Sequence, residues 1–236
     1  DAVRVTFNTL SMNFCFILIT VLISVGLALV MYRFSARKVK IFQTCMFVPY
    51  FISWVVASYV VYALLCPDIG ALSILCKNLG LSIPNFYNTP QYWRIIMPVA
   101  YLWKNVGYMT LLYYATLLGM ETHLLEAAAI DGATEKQRIW YIMLPFLKPT
   151  IVLMVLLQVG KIFNADFGMF YFLPRNSGTL YPVTDVIDTY VYRALRVTGD
   201  VGMASAMGLF QTIAGFTILY VINSVVRKID RDNALY

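Results

Sequence analysis

Residues Glu126 to Pro145 read EAAAIDGATEKQRIWYIMLP. Three acids (Glu126, Asp131, Glu135) and two bases (Lys136, Arg138) sit here among small residues and turn signals, between apolar runs long enough for a bilayer. Leu124, Leu125, Ala128 and Ala129 recur at the three-and-four spacing of one helical side. The alanines favour helix and leave its surface thin, so that another backbone can approach closely. Gly132 falls where such a helix would end in a left-handed turn. Thr134 and Gln137 have the spacing of a capping box for a second helix through Ile139 and Tyr141, which Pro145 is expected to end or bend. The product is a short helix, a bend and a second helix lying against a membrane face. That shape suits a groove on a soluble partner, and equally an interfacial hairpin that anchors the rest of the chain.

Outward from this segment the chain is greasy. Of 236 residues, 60% are apolar and only 13% charged, and the mean hydropathy is +0.71, well outside the range of soluble domains. About 20 residues of helix cross a bilayer, and the long apolar runs lack the alternation of barrel strands. The expected fold is therefore all-α, a polytopic transmembrane helix bundle read as one domain over residues 1–236. Five spans are expected: Leu10 to Tyr32, Thr44 to Cys66, Ile95 to Leu118, Pro149 to Phe167 and Met203 to Val226. Outer segments are expected at about 67–94 and 166–201, and the polar segment at about 121–145.

Orientation follows from the bases between spans. The segment RFSARKVK holds four, the central loop adds Lys136, Arg138 and Lys148, and the tail RKIDRDNALY adds three, against six on the other side. These three segments are expected to be cytoplasmic, and so is the C-terminus. The same rule accounts for the net charge of +6 without a nucleic-acid partner. The four cysteines have no metal-binding spacing. Cys66 and Cys76 could form a disulfide near the outer face, or remain ordinary buried thiols.

Charged side chains within spans cost about 2.5 to 3.5 kcal/mol each on insertion scales, so each needs a reason. Lys104, beside Asn105, lies near the middle of the third span. Lys161 lies in LLQVGKIFNADFG with Gln158, Asn164 and Asp166. On a continuous helix Gln158, Lys161 and Asn164 would share one face. These six residues are a candidate polar pathway, with amides and amines meeting hydroxyls or carboxylates. The alternative is that Lys161 pairs with Asp166 or a neighbouring carboxylate, or extends to the interface, and only fixes packing. Farther on, Val183, Val186, Ile187, Tyr190, Val191 and Ala194 mark an outer helical stripe. Asp185 stands near its expected start, and Arg193 and Arg196 near its end.

The opening segment resembles the signature of permease subunits of binding-protein-dependent ATP-binding-cassette importers. It matches at Glu126, Ala127, Ala128, Gly132, Ile142, Leu144 and Pro145 without a gap. NTL from Asn8, the stretch FNADFGMFYFLPRNSGTLYPVTDVIDTYVYRAL from Phe163, and the closing NSVVRKIDRDNALY resemble the carbohydrate-type importers. Within these they resemble the branch for complex or acidic oligosaccharides, the aldouronate and alginate types. The resemblance implies a type I importer permease fold, with a sixth span expected before residue 1. It makes Glu126 through Gly132, Asp131 included, a coupling helix seated on an ATPase subunit. It implies a second permease subunit, two ATPase subunits carrying ATP and magnesium, and an extracytoplasmic solute-binding protein that meets the 166–201 segment. It also implies a multi-pass place in a bacterial cytoplasmic membrane and an oligosaccharide substrate.

An enzyme is the rival class. His123 is the sole histidine, no paired-carboxylate or Ser-His-Asp set is evident, and no G-x-x-x-x-G-K loop exists, so this chain is expected to hold no catalytic, cofactor or metal site. An ion-driven transporter or channel would be expected to pair broken helices with intramembrane acids or inverted repeats, and neither is evident in the sequence. A permease for a non-sugar solute is the nearer alternative.

Overall fold

The computed structural model describes residues 2–67, 69–80 and 84–229, which excludes the end of the basic tail, from residue 230 on. The described elements are helices. In chain order they are α1 (Ala2–Tyr32), α2 (Ala36–Phe51), α3 (Trp54–Leu65), α4 (Ala71–Asn78), α5 (Trp93–Leu118), α6 (Thr122–Ile130), α7 (Glu135–Arg138), α8 (Leu144–Val159), α9 (Phe167–Phe172), α10 (Tyr181–Thr184), α11 (Ile187–Arg193) and α12 (Val201–Ile229). Wider π-helical turns occupy Ile139–Met143 and Ala194–Thr198.

Among the described residues, three helical stretches are long and apolar enough to cross a membrane: Ala2–Tyr32, Glu135–Val159 and Val201–Lys228. The pair α2 and α3 makes a fourth if counted as one broken span. The expected uninterrupted span Thr44 to Cys66 is thus corrected. The helix stops at Phe51 and restarts at Trp54, where the Ser53 hydroxyl accepts the Val56 N–H. The expected third span is present as α5, 26 residues long, but it is not among the stretches apolar enough by composition. A helix whose polar groups find partners inside a protein need not be apolar all round.

The backbone divides into two compact units, each drawn from three separated stretches. The first comprises Asp1–Phe16, Ile52–Tyr101 and Val159–Ile218. Its core packs Met12 and Phe16 of α1 against Trp54 of α3, Trp93 and Met97 of α5, and Phe170 of α9. Phe16 stacks on Tyr101 with ring centroids 4.3 Å apart. Asn8 and Thr9 of the NTL triplet tie α1 to the outer segment. The Asn8 amide donates to the carbonyls of Pro182 and Asp185, and the Thr9 hydroxyl accepts the Ile187 N–H. The second unit comprises Ile17–Phe51, Leu102–Gln158 and Leu219–Tyr236. Its core sets Val25 and Ala28 of α1 with Tyr113 and Leu117 of α5, Met143, and Leu147 of α8.

All four cysteines are free thiols, so Cys66 and Cys76 are not bridged. The expected outer stripe from Val183 to Ala194 is two short helices, broken at Asp185 and Val186. Asp185 does not stand exposed at a helix start. Its buried carboxylate takes Arg193 and the Thr189 hydroxyl, and the Arg193 guanidinium also lies 4.1 Å from the Tyr181 ring centroid.

Candidate functional site

The polar segment builds two surfaces from local rules. α6 ends in a Schellman motif, in which the Ala133 N–H donates to the Ala128 carbonyl and the Gly132 N–H to that of Ala129. Gly132 has φ of 79°, and a Cβ added there would meet nothing within 4 Å. Backbone strain alone therefore selects glycine. Across the bend, Thr134 and Gln137 form the expected capping box: the Thr134 N–H donates to Gln137 Oε1, and the Gln137 N–H donates to Thr134 Oγ1. Glu135 at the first turn of α7 pairs with Arg33 at 2.8 Å.

Pro145 does not end the second helix. It is the second residue of α8, directly after the π turn. The Leu144 N–H reaches back five residues to the Ile139 carbonyl, and the wider turn carries the helix through a residue that lacks an N–H donor.

No residue of α6 is buried. Glu126, Ala127, Asp131 and Gly132 are exposed, and Ile130 keeps 87% of its surface. Leu125, Ile142 and Leu144 instead pack partly against the second unit's core. Asp131, Gly132 and Ile142, with Arg138 and Tyr141, line a cavity of about 330 Å³. The segment thus presents an exposed, thin-skinned helix followed by a glycine bend and a capped turn.

The candidate pathway residues fall into different settings. Lys104 Nζ donates to the Tyr50 carbonyl at 2.8 Å, and that carbonyl lies in the last turn of α2, where a helix leaves its acceptors unpaired. Tyr50 in turn stacks on Tyr108, centroids 4.9 Å apart. Asn105 is half-buried on the same helix. The shared face of Gln158, Lys161 and Asn164 does not exist, because α8 ends at Val159 and the chain runs unwound to Ala165. Gln158 folds back to the Met154 carbonyl of its own helix. Lys161 is exposed and has no carboxylate within ion-pairing distance among the described residues. Asp166 does not pair with it. It caps α9 through the Met169 N–H and accepts the Trp54 indole N–H.

The unwound stretch is held by side chains that sequence reading passed over. The Asn13 amide donates to the carbonyls of Ile162 and Asn164. Gln211 Nε2 donates to the Phe163 carbonyl at 2.8 Å, and Asp188 Oδ2 accepts the Ala165 N–H at 2.7 Å. Burial pushes the Asp188 carboxyl above its usual range, against the opposing pull of these N–H donors and of Gln211. The available signal was an amide within each of two apolar helices, Asn13 in α1 and Gln211 in α12, since a polar group there asks for a partner.

A strained loop follows α9. Arg175 and Asn176 are consecutive left-handed residues, φ 57° and 49°. The Tyr181 hydroxyl holds them by donating to the carbonyl and Oδ1 of Asn176. The Arg175 guanidinium lies 4.1 Å from the Tyr62 ring centroid. Burial pushes the nearby Tyr87 hydroxyl up to about 12, with the Arg175 charge opposing it.

Residues 21–233 match the family described as the inner membrane component of binding-protein-dependent transport systems. The chain is 28% identical over 190 residues to Protein LplB of Bacillus subtilis strain 168, covering 80% of this chain and 59% of that one. It is 30% identical over 189 residues to the polygalacturonan/rhamnogalacturonan transport system permease protein YteP of the same organism, covering 80% and 58%. It thus spans less than two thirds of either relative. Among solved structures it is similar to a chain of a bacterial alginate ABC transporter in complex with an alginate pentasaccharide-bound periplasmic protein. There the TM-score is 0.91 at 29% identity, over 96% of this chain and 78% of the other.

Proposed function

Because the chain belongs to the family of inner membrane components of binding-protein-dependent transport systems, we propose that it is the permease subunit of an ATP-driven importer that moves oligosaccharides, acidic ones among them, inward by alternating access. The observation that carries this reading is the exposed α6 with its Schellman bend and capped second helix. α6 docks on an ATPase subunit, and ATP-driven closure of two such subunits moves the membrane helices through the π turn and α8. ATP and magnesium belong to those subunits. A second permease chain completes the path, and a solute-binding protein delivers the sugar on the extracytoplasmic side. The chain lies in a bacterial cytoplasmic membrane with its C-terminus inside. The oligosaccharide class is supported by the relatives named for polygalacturonan and alginate transport. The unwound 160–165 stretch with Lys161, and Lys104 of α5, whose amine reaches the last turn of α2, are the groups proposed to line the path.

Gentle detergent purification of the tagged chain tests the assembly. An ATPase and a second permease should co-elute, and hydrolysis should rise with the binding protein and an oligogalacturonate. A chain that repeatedly elutes alone would overturn the assembly. A complex that responds only to a non-sugar solute would replace the substrate class. Gly132→Val tests coupling. The left-handed turn should cost this residue about 1–2 kcal/mol, so the variant should reach the membrane at normal levels while uptake falls about tenfold. Undiminished uptake would remove α6 from the coupling path.

A further inference from the structure

A cavity of about 390 Å³ opens beside α3 and the end of α9, lined by Ser58, Tyr59, Tyr171, Arg175 and Asn176 among others. Its volume is in the range of small-molecule sites, and its walls combine one cation with aromatic faces and amide and hydroxyl groups. The guanidinium is oriented by the Tyr62 ring, 4.1 Å from its carbon. A cation stacked in this way keeps its edge donors available for a planar acceptor. Among the described residues no carboxylate lies within ion-pairing distance of Arg175. Tyr171 is fixed by Phe167 and Tyr192, with ring centroids 5.1 and 5.3 Å away, while Tyr59 leaves 65% of its surface exposed. The guanidinium is delivered by two successive left-handed residues, a conformation disfavoured for arginine and retained only where the surroundings enforce it.

We infer that this cavity is a subsite for one acidic sugar residue, with Arg175 taking the carboxylate and Tyr59 and Tyr171 facing the sugar ring. The inference rests on the proposed import of oligosaccharides and adds to it the group that selects charge. It places that selection in the 166–201 segment, apart from the lysines of the candidate pathway.

Uptake of trigalacturonate and of its methyl ester into proteoliposomes holding the complete importer and its binding protein provides the test. The unaltered importer should prefer the acid. Arg175→Gln should lower that preference about tenfold, the usual consequence of losing one charge-assisted hydrogen-bonded contact, and Arg175→Lys should restore part of it. Tyr59→Ala, which leaves the strained loop untouched, should weaken uptake of both sugars through the lost ring contact. A preference unchanged in Arg175→Gln would overturn the subsite. So would an equal loss for acid and ester, which would assign Arg175 to docking of the binding protein or to folding. If the unaltered importer moves neither sugar, acidic galacturonides are not its substrate and the subsite for them is overturned, while import of another oligosaccharide would leave the proposed function standing.

Discussion

Lys104 shows why a charge can stand within a spanning helix. The last carbonyls of α2 have no partner in their own helix, and the amine supplies one at Tyr50. Asp188 works in the opposite sense, accepting the Ala165 N–H of the unwound stretch. Its burial raises the carboxyl pKa above the ordinary 3.8. The folded protein therefore holds this proton more tightly than the unfolded one. The associated stability is fully present below the unfolded value and is lost as pH rises through the raised folded value. Asp188→Asn keeps an acceptor for Ala165 and removes the titration. Its melting temperature minus that of the unaltered protein should grow more positive from pH 4 to pH 7. A difference that is flat with pH would show that Asp188 does not titrate as its burial requires.

Among elements, the segment from α6 to α8 was legible because its determinants are local. Small residues, a glycine at the left-handed position and a Thr–Gln pair three apart act through neighbours in sequence, and each appears in the structure with its hydrogen bonds. Thr134→Ala should cost about 1 kcal/mol at the start of α7. The Gln137 amide should then exchange hydrogen about fivefold faster, and unchanged exchange would mean that the cap adds nothing to its order. The π turn was not legible. Proline signals an interruption, but whether the chain breaks or widens its turn depends on packing, and here Met143 and Leu147 are buried in a core with α1 and α5. The outer stripe failed for a related reason, since Asp185, spaced like a helix-start acid, is instead consumed by Arg193 and Thr189.

At the scale of the whole molecule, each compact unit joins stretches far apart in sequence, and close backbone approaches are where it has least tolerance. A Cβ on Gly107 of α5 would run into the Met46 carbonyl of α2. Even Gly107→Ala should therefore destabilise the protein, by about 1–3 kcal/mol, seen as a lower melting temperature and yield in detergent. Gly26→Ala in α1, which meets nothing within 4 Å, should be near neutral. Equal behaviour of the two would contradict the α2–α5 contact. By itself the sequence determined the membrane class, the helical content and the capped helix–bend–helix of residues 122–138, because apolar length, helix periodicity and end-capping are properties of contiguous residues. Only the tertiary structure decided where helices break and which polar groups meet there. Asn13 and Gln211 satisfy carbonyls of residues 162–164, and Lys104 that of Tyr50, across separations that no local rule reaches. An unwound backbone in an apolar setting is stable only when such distant donors are brought to it.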